Sequence, residues 1–276
     1  VNEFDPSAFD EFEAAGWGTK EAAAYDALAG RVTARVAGPL LDAVGAEPGM
    51  RLLDVATGPG YVAAEAAERG ADAVGVDFSE SMVAHARVHV PVAEFVRGDA
   101  TALPFEDASF DAVVAAFLLL HLGTPEYAVA EATRVLRPGA RAAFSVWDVP
   151  ARGRWIGVFF DAFVAAGASP PADVPAGPNF FRFADEAEFS GLLEEAGLVD
   201  VRVRTVEFAL QLEDGDELWD GLIEGSVRVG PMILGQTDEV QRRIRELYDE
   251  LLEAHRVDRG YDVPVSVKLA SGRRPV

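Results

Sequence analysis

Residues 52–82 read LLDVATGPGYVAAEAAERGADAVGVDFSESM. A short apolar run carries Asp54, a Gly58-Pro59-Gly60 turn follows, and a stretch of helical composition stops at Gly70. The next apolar run closes on Asp77. Short apolar runs separated by a helix predict buried parallel strands. A glycine turn that opens a helix lets a ligand approach the backbone, and the helix N-terminus favours negative charge there. GPGYVA, with Ala63 in the third small position, also satisfies the dinucleotide pattern, but a purely structural turn matches so short a motif about as often. Asp77 shifts the balance toward a ligand, since a carboxylate at a strand end across the switch point can accept two hydrogen bonds from a ribose. Its alternative, an ordinary helix cap, loses ground because Ser79 stands where it could cap instead.

The alternation extends outward. VAEFVRGDA predicts a third strand and SFDAVVAAF a fourth. EYAVAEATRVLRPG reads as a helix stopped by Pro138-Gly139, and ARAAFSVWD as a fifth strand. After Trp147 bulky aromatics mix with a Pro/Gly-rich stretch. DEAEFSGLLEEAGL then predicts a helix capped by Asp185, and VDVRVRTVEFAL a strand. Residues 214–256 read as helical and DVPVSVKLASGRR as a last strand. Strands alternating with helices indicate a sheet covered on both faces.

Composition narrows the function. The chain has 276 residues, half of them hydrophobic, which permits a sizeable core. A formal charge of −22 argues against a nucleic-acid partner, because phosphate binding needs a basic stripe. The absence of cysteine removes disulfides, thiolate metal sites and a cysteine nucleophile. Four scattered histidines lack ligand spacing, so no metal is expected. The longest apolar run, DAVVAAFLLLHL, contains His121 and is closed by Gly123 and Pro125, so no membrane span is expected. The acidic, mixed N-terminal stretch is unlike a signal peptide, and a cytoplasmic monomer or homodimer is the expectation.

Two acids choose between cofactors. Asp54 beside the turn would repel the pyrophosphate of a nicotinamide dinucleotide, whereas a ligand with an ammonium and a sulfonium would welcome it. Asp99, ending the third strand in RGDATALPF, can meet an adenine amino group. With these features the stretch from about Tyr25 to Asp148 resembles a class I S-adenosylmethionine-dependent methyltransferase, in the small-molecule group that includes the ubiquinone/menaquinone C-methyltransferases. LLDVATGPG is similar to the family's glycine motif, GVDFSESM to its ribose-binding motif, and GDATALPFEDASFD to its adenine motif. RVLRPGARAAFSVW is similar to the helix and strand that follow.

The resemblance implies S-adenosylmethionine as cofactor, S-adenosylhomocysteine as product and a small-molecule methyl acceptor. It implies an α/β, Rossmann-like seven-stranded sheet, mostly parallel with one antiparallel strand supplied by DVPVSVKLA, with helices on both faces and a helical lid. Residues 1–276 would form a single methyltransferase domain, with 1–38 as an N-terminal helical cap and 150–184 and 214–256 as lid insertions. Ala56, Thr57, Gly58 and Gly60 would lie along the methionine part, with Asp54 orienting its ammonium indirectly. Asp77 would hold the ribose, Phe78 and Met82 would pack on the adenine, and Gly98, Asp99 and Ala100 would meet its edge. Phe117 and Leu118 would close the pocket near the sulfonium. Trp17 and Tyr25 would either cover the cofactor or only anchor their helix. The sequence departs from the family at Ala56, which usually is a glycine. A methyl group is tolerable there if the backbone angle is an ordinary one.

Methyl transfer is an in-line displacement that needs positioning, and a base only where the nucleophile must lose a proton. His121, just past the fourth strand, is the candidate base, although a packing or cofactor-supporting role is the preferred expectation. Trp147, Arg154, Trp155 and Phe159 are candidates for the acceptor site, and the many aromatics of 150–184 suit an apolar or aromatic metabolite. Two rivals stay open: a cofactor-binding protein or non-methylating catalyst of the same fold, and a nicotinamide-dependent reductase.

Overall fold

A computed structural model describes residues 4–19 and 22–276. The chain begins with helices α1 (Pro6–Thr19) and α2 (Ala22–Val44), then alternates β1 (Arg51–Val55), α3 (Tyr61–Glu68), β2 (Asp72–Asp77), α4 (Glu80–His89) and β3 (Glu94–Arg97). Next come β4 (Phe110–Ala116), α5 (Pro125–Val135), β5 (Leu136–Trp147), α6 (Arg154–Ala165), α7 (Glu186–Glu195) and β6 (Val199–Leu212). Helices α8 (Gly215–Gly225), α9 (Val229–Leu234) and α10 (Asp238–Leu252) precede the final strand, β7 (Tyr261–Arg273).

The strands form one sheet in the order β3-β2-β1-β4-β5-β7-β6. Strands β1 to β5 pair in parallel, and β7 runs antiparallel to both neighbours, β5 and β6. The fold is thus the expected Rossmann-like sheet with one antiparallel strand. Side-chain alternation feeds two cores. Leu52, Ala112 and Val114 face the layer of α2 and α3, while Leu53, Val55, Val113 and Ala115 face that of α5 and α7. Strand order reverses between β1 and β4, and the crevice beyond their carboxyl ends is where such sheets bind ligands.

One local expectation changes. The helix before β5 ends at Val135, and Pro138-Gly139 lies inside the strand, not at a helix stop. The register slips there, from Phe110 opposite Leu136 to Ala112 opposite Arg141, and Gly139 takes a positive φ of 84°. That is a bulge, in which extra residues leave the ladder and glycine meets the backbone demand. Within the expected lid insertion 150–184, Trp155, Phe159 and Phe163 of α6 are buried in the main core. Lys20 and Glu21, within the N-terminal cap of 1–38, lie outside the described residues, as do residues 1–3. No helix of the described residues is long and apolar enough to cross a membrane.

Candidate cofactor and acceptor site

A cavity of about 330 Å³ opens at the carboxyl ends of the parallel strands. That size falls in the ~300–1,000 Å³ range of small-molecule sites. The structure brings together on its wall Trp17, Tyr25, Ala56, Gly58, Asp77, Phe78, Met82, Gly98, Asp99, Ala100, Phe117, Leu118, His121, Trp147 and Trp155. Asp54, Thr57, Gly60, Arg154 and Phe159 are not on the wall.

At the β1 end, Asp54 is 1% exposed and sits beneath the glycine turn. Its Oδ2 accepts from Thr57 Oγ1 at 2.6 Å and from Ala63 N, in the first turn of α3, at 3.2 Å. Its Oδ1 is buried without a partner among the described residues. Burial pushes this carboxyl up to about 7, against the hydrogen bonds of Thr57 and Ala63. A cation held nearby would draw it toward the ionised form. Thr57 and Gly60 likewise shape the turn from below: Gly60 has φ 94°, and a Cβ there would press on Phe95 at 3.1 Å. Gly58, with φ 53°, has open space where its Cβ would stand, so the turn presents bare backbone to the cavity.

Ala56 corrects the sequence reading. Its φ is 55°, in the left-handed region, so the ordinary backbone angle on which tolerance depended is absent. An L-residue there is strained by roughly 1–2 kcal/mol. Phe117, at the end of neighbouring β4, also has φ 55°. Two strained non-glycine residues thus flank the crevice between β1 and β4, the kind of concentration that marks ligand sites.

Asp77 is 8% exposed, and burial raises its carboxyl from the ordinary range. Its Oδ2 accepts from Gly58 N and its Oδ1 from Ser79 N, both at 2.9 Å. It therefore joins the glycine turn to the start of α4. Ionised carboxylates offer about four acceptor sites, which leaves capacity for two ligand hydroxyls. Ser79 occupies the N-cap but makes no side-chain cap bond, so the sequence argument that it relieves Asp77 of capping fails. Its Oγ lies near Trp17 O and Ser81 Oγ instead, at 3.3 and 3.0 Å. Asp99, exposed at the mouth, is held by Thr101 through N and Oγ1, each at 2.8 Å. Tyr25 donates or accepts a 2.8 Å hydrogen bond with Thr33, lies edge-on to Trp17, and is pushed up to about 12 by burial.

The far end is aromatic. Phe117 stacks on Trp147 at 3.7 Å, and Trp147 leans on Trp155 at 4.8 Å. Trp155 Nε1 is buried without a partner among the described residues. Arg154, one residue earlier on α6, turns away and bonds Asp161 and the Pro150 carbonyl at 2.7 and 3.1 Å. Phe159, one turn later, is fully buried against Phe160 and Trp219. The helical rotation of α6 aims only part of its aromatic stripe at the cavity.

Sequence reasoning missed Glu13, together with the wall contributed by Leu28 of α2 and by Gly221, Leu222 and Ser226 of the α8 region. Close packing explains Gly221, since a Cβ there would meet Leu28 at 2.7 Å. A signal for Glu13 did exist. Phe9, Glu13 and Trp17 recur every four residues on one face of α1, an acid within an apolar stripe. Glu13 is 3% exposed, and its Oε2 accepts from Trp17 Nε1 at 3.0 Å and His121 Nδ1 at 2.9 Å.

The bare turn at Gly58, the spare acceptor capacity of Asp77 and the unpartnered buried Asp54 Oδ1 fit a ligand with ribose hydroxyls and a cationic end. Comparison with known proteins agrees. A family described as a methyltransferase domain matches residues 53–144. The demethylmenaquinone methyltransferase of Renibacterium salmoninarum is 34% identical over 179 residues, 62% of this chain and 76% of that protein. Its namesake from Beutenbergia cavernae is 36% identical over 174 residues, 60% of this chain and 72% of that protein. The fold is shared with phosphoethanolamine N-methyltransferase 2 of Haemonchus contortus, solved with S-adenosylhomocysteine, at a TM-score of 0.53 and 19% identity over 88% of this chain and 53% of that one. The nicotinamide-dependent reductase is thereby set aside. The chain belongs to the class I S-adenosylmethionine-dependent methyltransferases, in the group that includes the demethylmenaquinone methyltransferases, and transfers methyl to a small molecule.

Proposed function

We propose that the acceptor is a small, apolar and aromatic metabolite. The observation that carries this reading is the continuous wall of Phe117, Trp147 and Trp155. Flat aromatic surfaces hold a ring by offset or tilted stacking, at about 0.5–1.5 kcal/mol per pair beyond area burial. One buried polar atom of this wall, Trp155 Nε1, has no partner among the described residues. It is a recognition point for an oxygen function on such a ring, because a buried polar group left unpaired is destabilising. Demethylmenaquinone methyltransferases, the relatives of this chain, are named for a quinone-type acceptor.

The cofactor supplies a methyl group activated on sulfonium. In this reading Asp77 holds the ribose through its spare acceptor sites, Phe78 and Met82 flank the adenine, and Asp99 with Gly98 and Ala100 meets its edge. Gly58 and the strained Ala56 present backbone to the methionine part. Asp54 acts from beneath, through the turn it braces, and Trp17 and Tyr25 cover the ligand. The experiment is to incubate the protein with isotopically labelled cofactor and a cell extract, then to identify the labelled product by mass spectrometry. A methylated aromatic or quinone-type product is expected. A labelled polar aliphatic product would overturn the aromatic reading.

A further inference from the structure

His121 lines the cavity from the turn after β4, beside the strained Phe117, yet its ring is tied to a residue 108 positions away. Glu13 takes the imidazole Nδ1 at 2.9 Å through Oε2, which also accepts from Trp17 Nε1. Trp17 meets the same imidazole edge-to-face at 5.3 Å. A carboxylate on Nδ1 fixes the neutral tautomer with its proton on that nitrogen. Nε2 then carries a lone pair, and it makes no hydrogen bond among the described residues. From these contacts we propose that Glu13 and His121 form a carboxylate–imidazole base that takes the proton of an acidic hydroxyl, phenolic or enolic, on the acceptor. The proposal rests on the aromatic-acceptor reading above and specifies the group that reacts.

As the hydroxyl oxygen forms its bond to the methyl carbon, the carbon–sulfur bond breaks and its electron pair stays on sulfur. The O–H proton passes to Nε2. The imidazolium so formed is neutralised by Glu13, which is a positioning residue because it acts through His121 and not on the acceptor. Burial makes the pairing effective: Glu13 is 3% exposed, so its charge is weakly screened. The other charged groups around it are Asp10 and Arg228. Asp10, one turn earlier on α1, is engaged by Gly123 N at 2.6 Å. Arg228 stacks over Phe180 at 4.4 Å and over Phe9 at 5.2 Å, and Glu13 counters the downward pull of burial on it. A packing histidine would need neither an oriented tautomer nor a buried carboxylate behind it.

The test uses the full chain with a dihydroxynaphthalene as acceptor, its dimethyl ether and a naphthylamine as controls, and S-adenosylhomocysteine for affinity. His121→Ala is expected to lower kcat by ~10²–10⁴-fold, with loss of the acid limb of the pH profile, and to leave S-adenosylhomocysteine affinity within about threefold. Glu13→Gln should lower kcat by at least tenfold. Added to His121→Ala it should lower it no further, because the two act as one unit. Imidazole ¹⁵N chemical shifts should show the proton on Nδ1 in the native protein, independently of turnover. Full kcat in His121→Ala with weakened S-adenosylhomocysteine binding would overturn the base and leave a cofactor-supporting residue. Turnover of the naphthylamine but not of the dihydroxynaphthalene would overturn the hydroxyl assignment while sparing the aromatic reading. Turnover of none of the aromatic probes, with a polar aliphatic product from the extract, would remove the aromatic reading itself.

Discussion

At the β1–β2–β3 end of the cavity, the wall and its support are built from strand ends and the turns that leave them. Asp54, Gly58, Asp77 and Asp99 lie within a single stretch of the chain; Asp54 and Asp99 are braced by residues a few positions away, and Asp77 joins Gly58 N to Ser79 N. Beyond Phe117 the construction differs. That end is assembled from α1, the turn after β4, α6 and the α8 region, and its wall is mostly apolar, with polar groups from Asp10, Glu13, His121, Trp155 and Ser226. In the proposed reading the cofactor is met by bare backbone and carboxylates, whereas the acceptor is met by side chains from the ends of β4 and β5 and from helices outside the parallel unit. Specificity can change at the second end without disturbing the first.

The comparison breaks if the ends prove energetically coupled. The largest effect should come from Asp77→Ala, which removes charge-assisted hydrogen bonds of about 1.5–3 kcal/mol each. Calorimetry should show S-adenosylhomocysteine binding weakened at least tenfold, with an unchanged far-ultraviolet circular dichroism spectrum. Unaltered affinity would dismiss the ribose assignment. A smaller effect is expected from Trp155→Phe, which keeps the stack but deletes the indole N–H. Loss of one neutral hydrogen bond of about 1 kcal/mol should raise the acceptor KM roughly fivefold and leave cofactor affinity alone. A matching loss of cofactor affinity would mean that the two ends are not independent.

The smallest effect tests the strain between them. Ala56→Gly relieves a left-handed alanine, partly offset by the greater freedom of glycine in the unfolded chain. Stability should rise by about 0.5–1 kcal/mol, seen as a Tm increase of ~1–4 °C. A lower Tm would show that the methyl group of Ala56 makes contacts worth more than the strain it bears.

The sequence by itself determined the alternation of strands and helices, and its resemblance to the family implied the antiparallel last strand. The alternation is local: apolar periodicity reports which face of a strand or helix is buried, and Gly58, Asp77 and Asp99 reach the cavity from the strand ends that carry them. Tertiary structure decided the rest. Only the packed turn shows that Ala56 is left-handed and that the Ser79 side chain makes no cap bond, because side-chain partners and φ are set by what surrounds a residue. Likewise, only the rotation of α6 against the sheet separates Trp155 on the cavity from the half-buried Arg154, paired with Asp161, and from Phe159 in the core. Glu13 and His121 are 108 positions apart, and no local pattern pairs two residues that meet only when α1 docks beside the turn after β4.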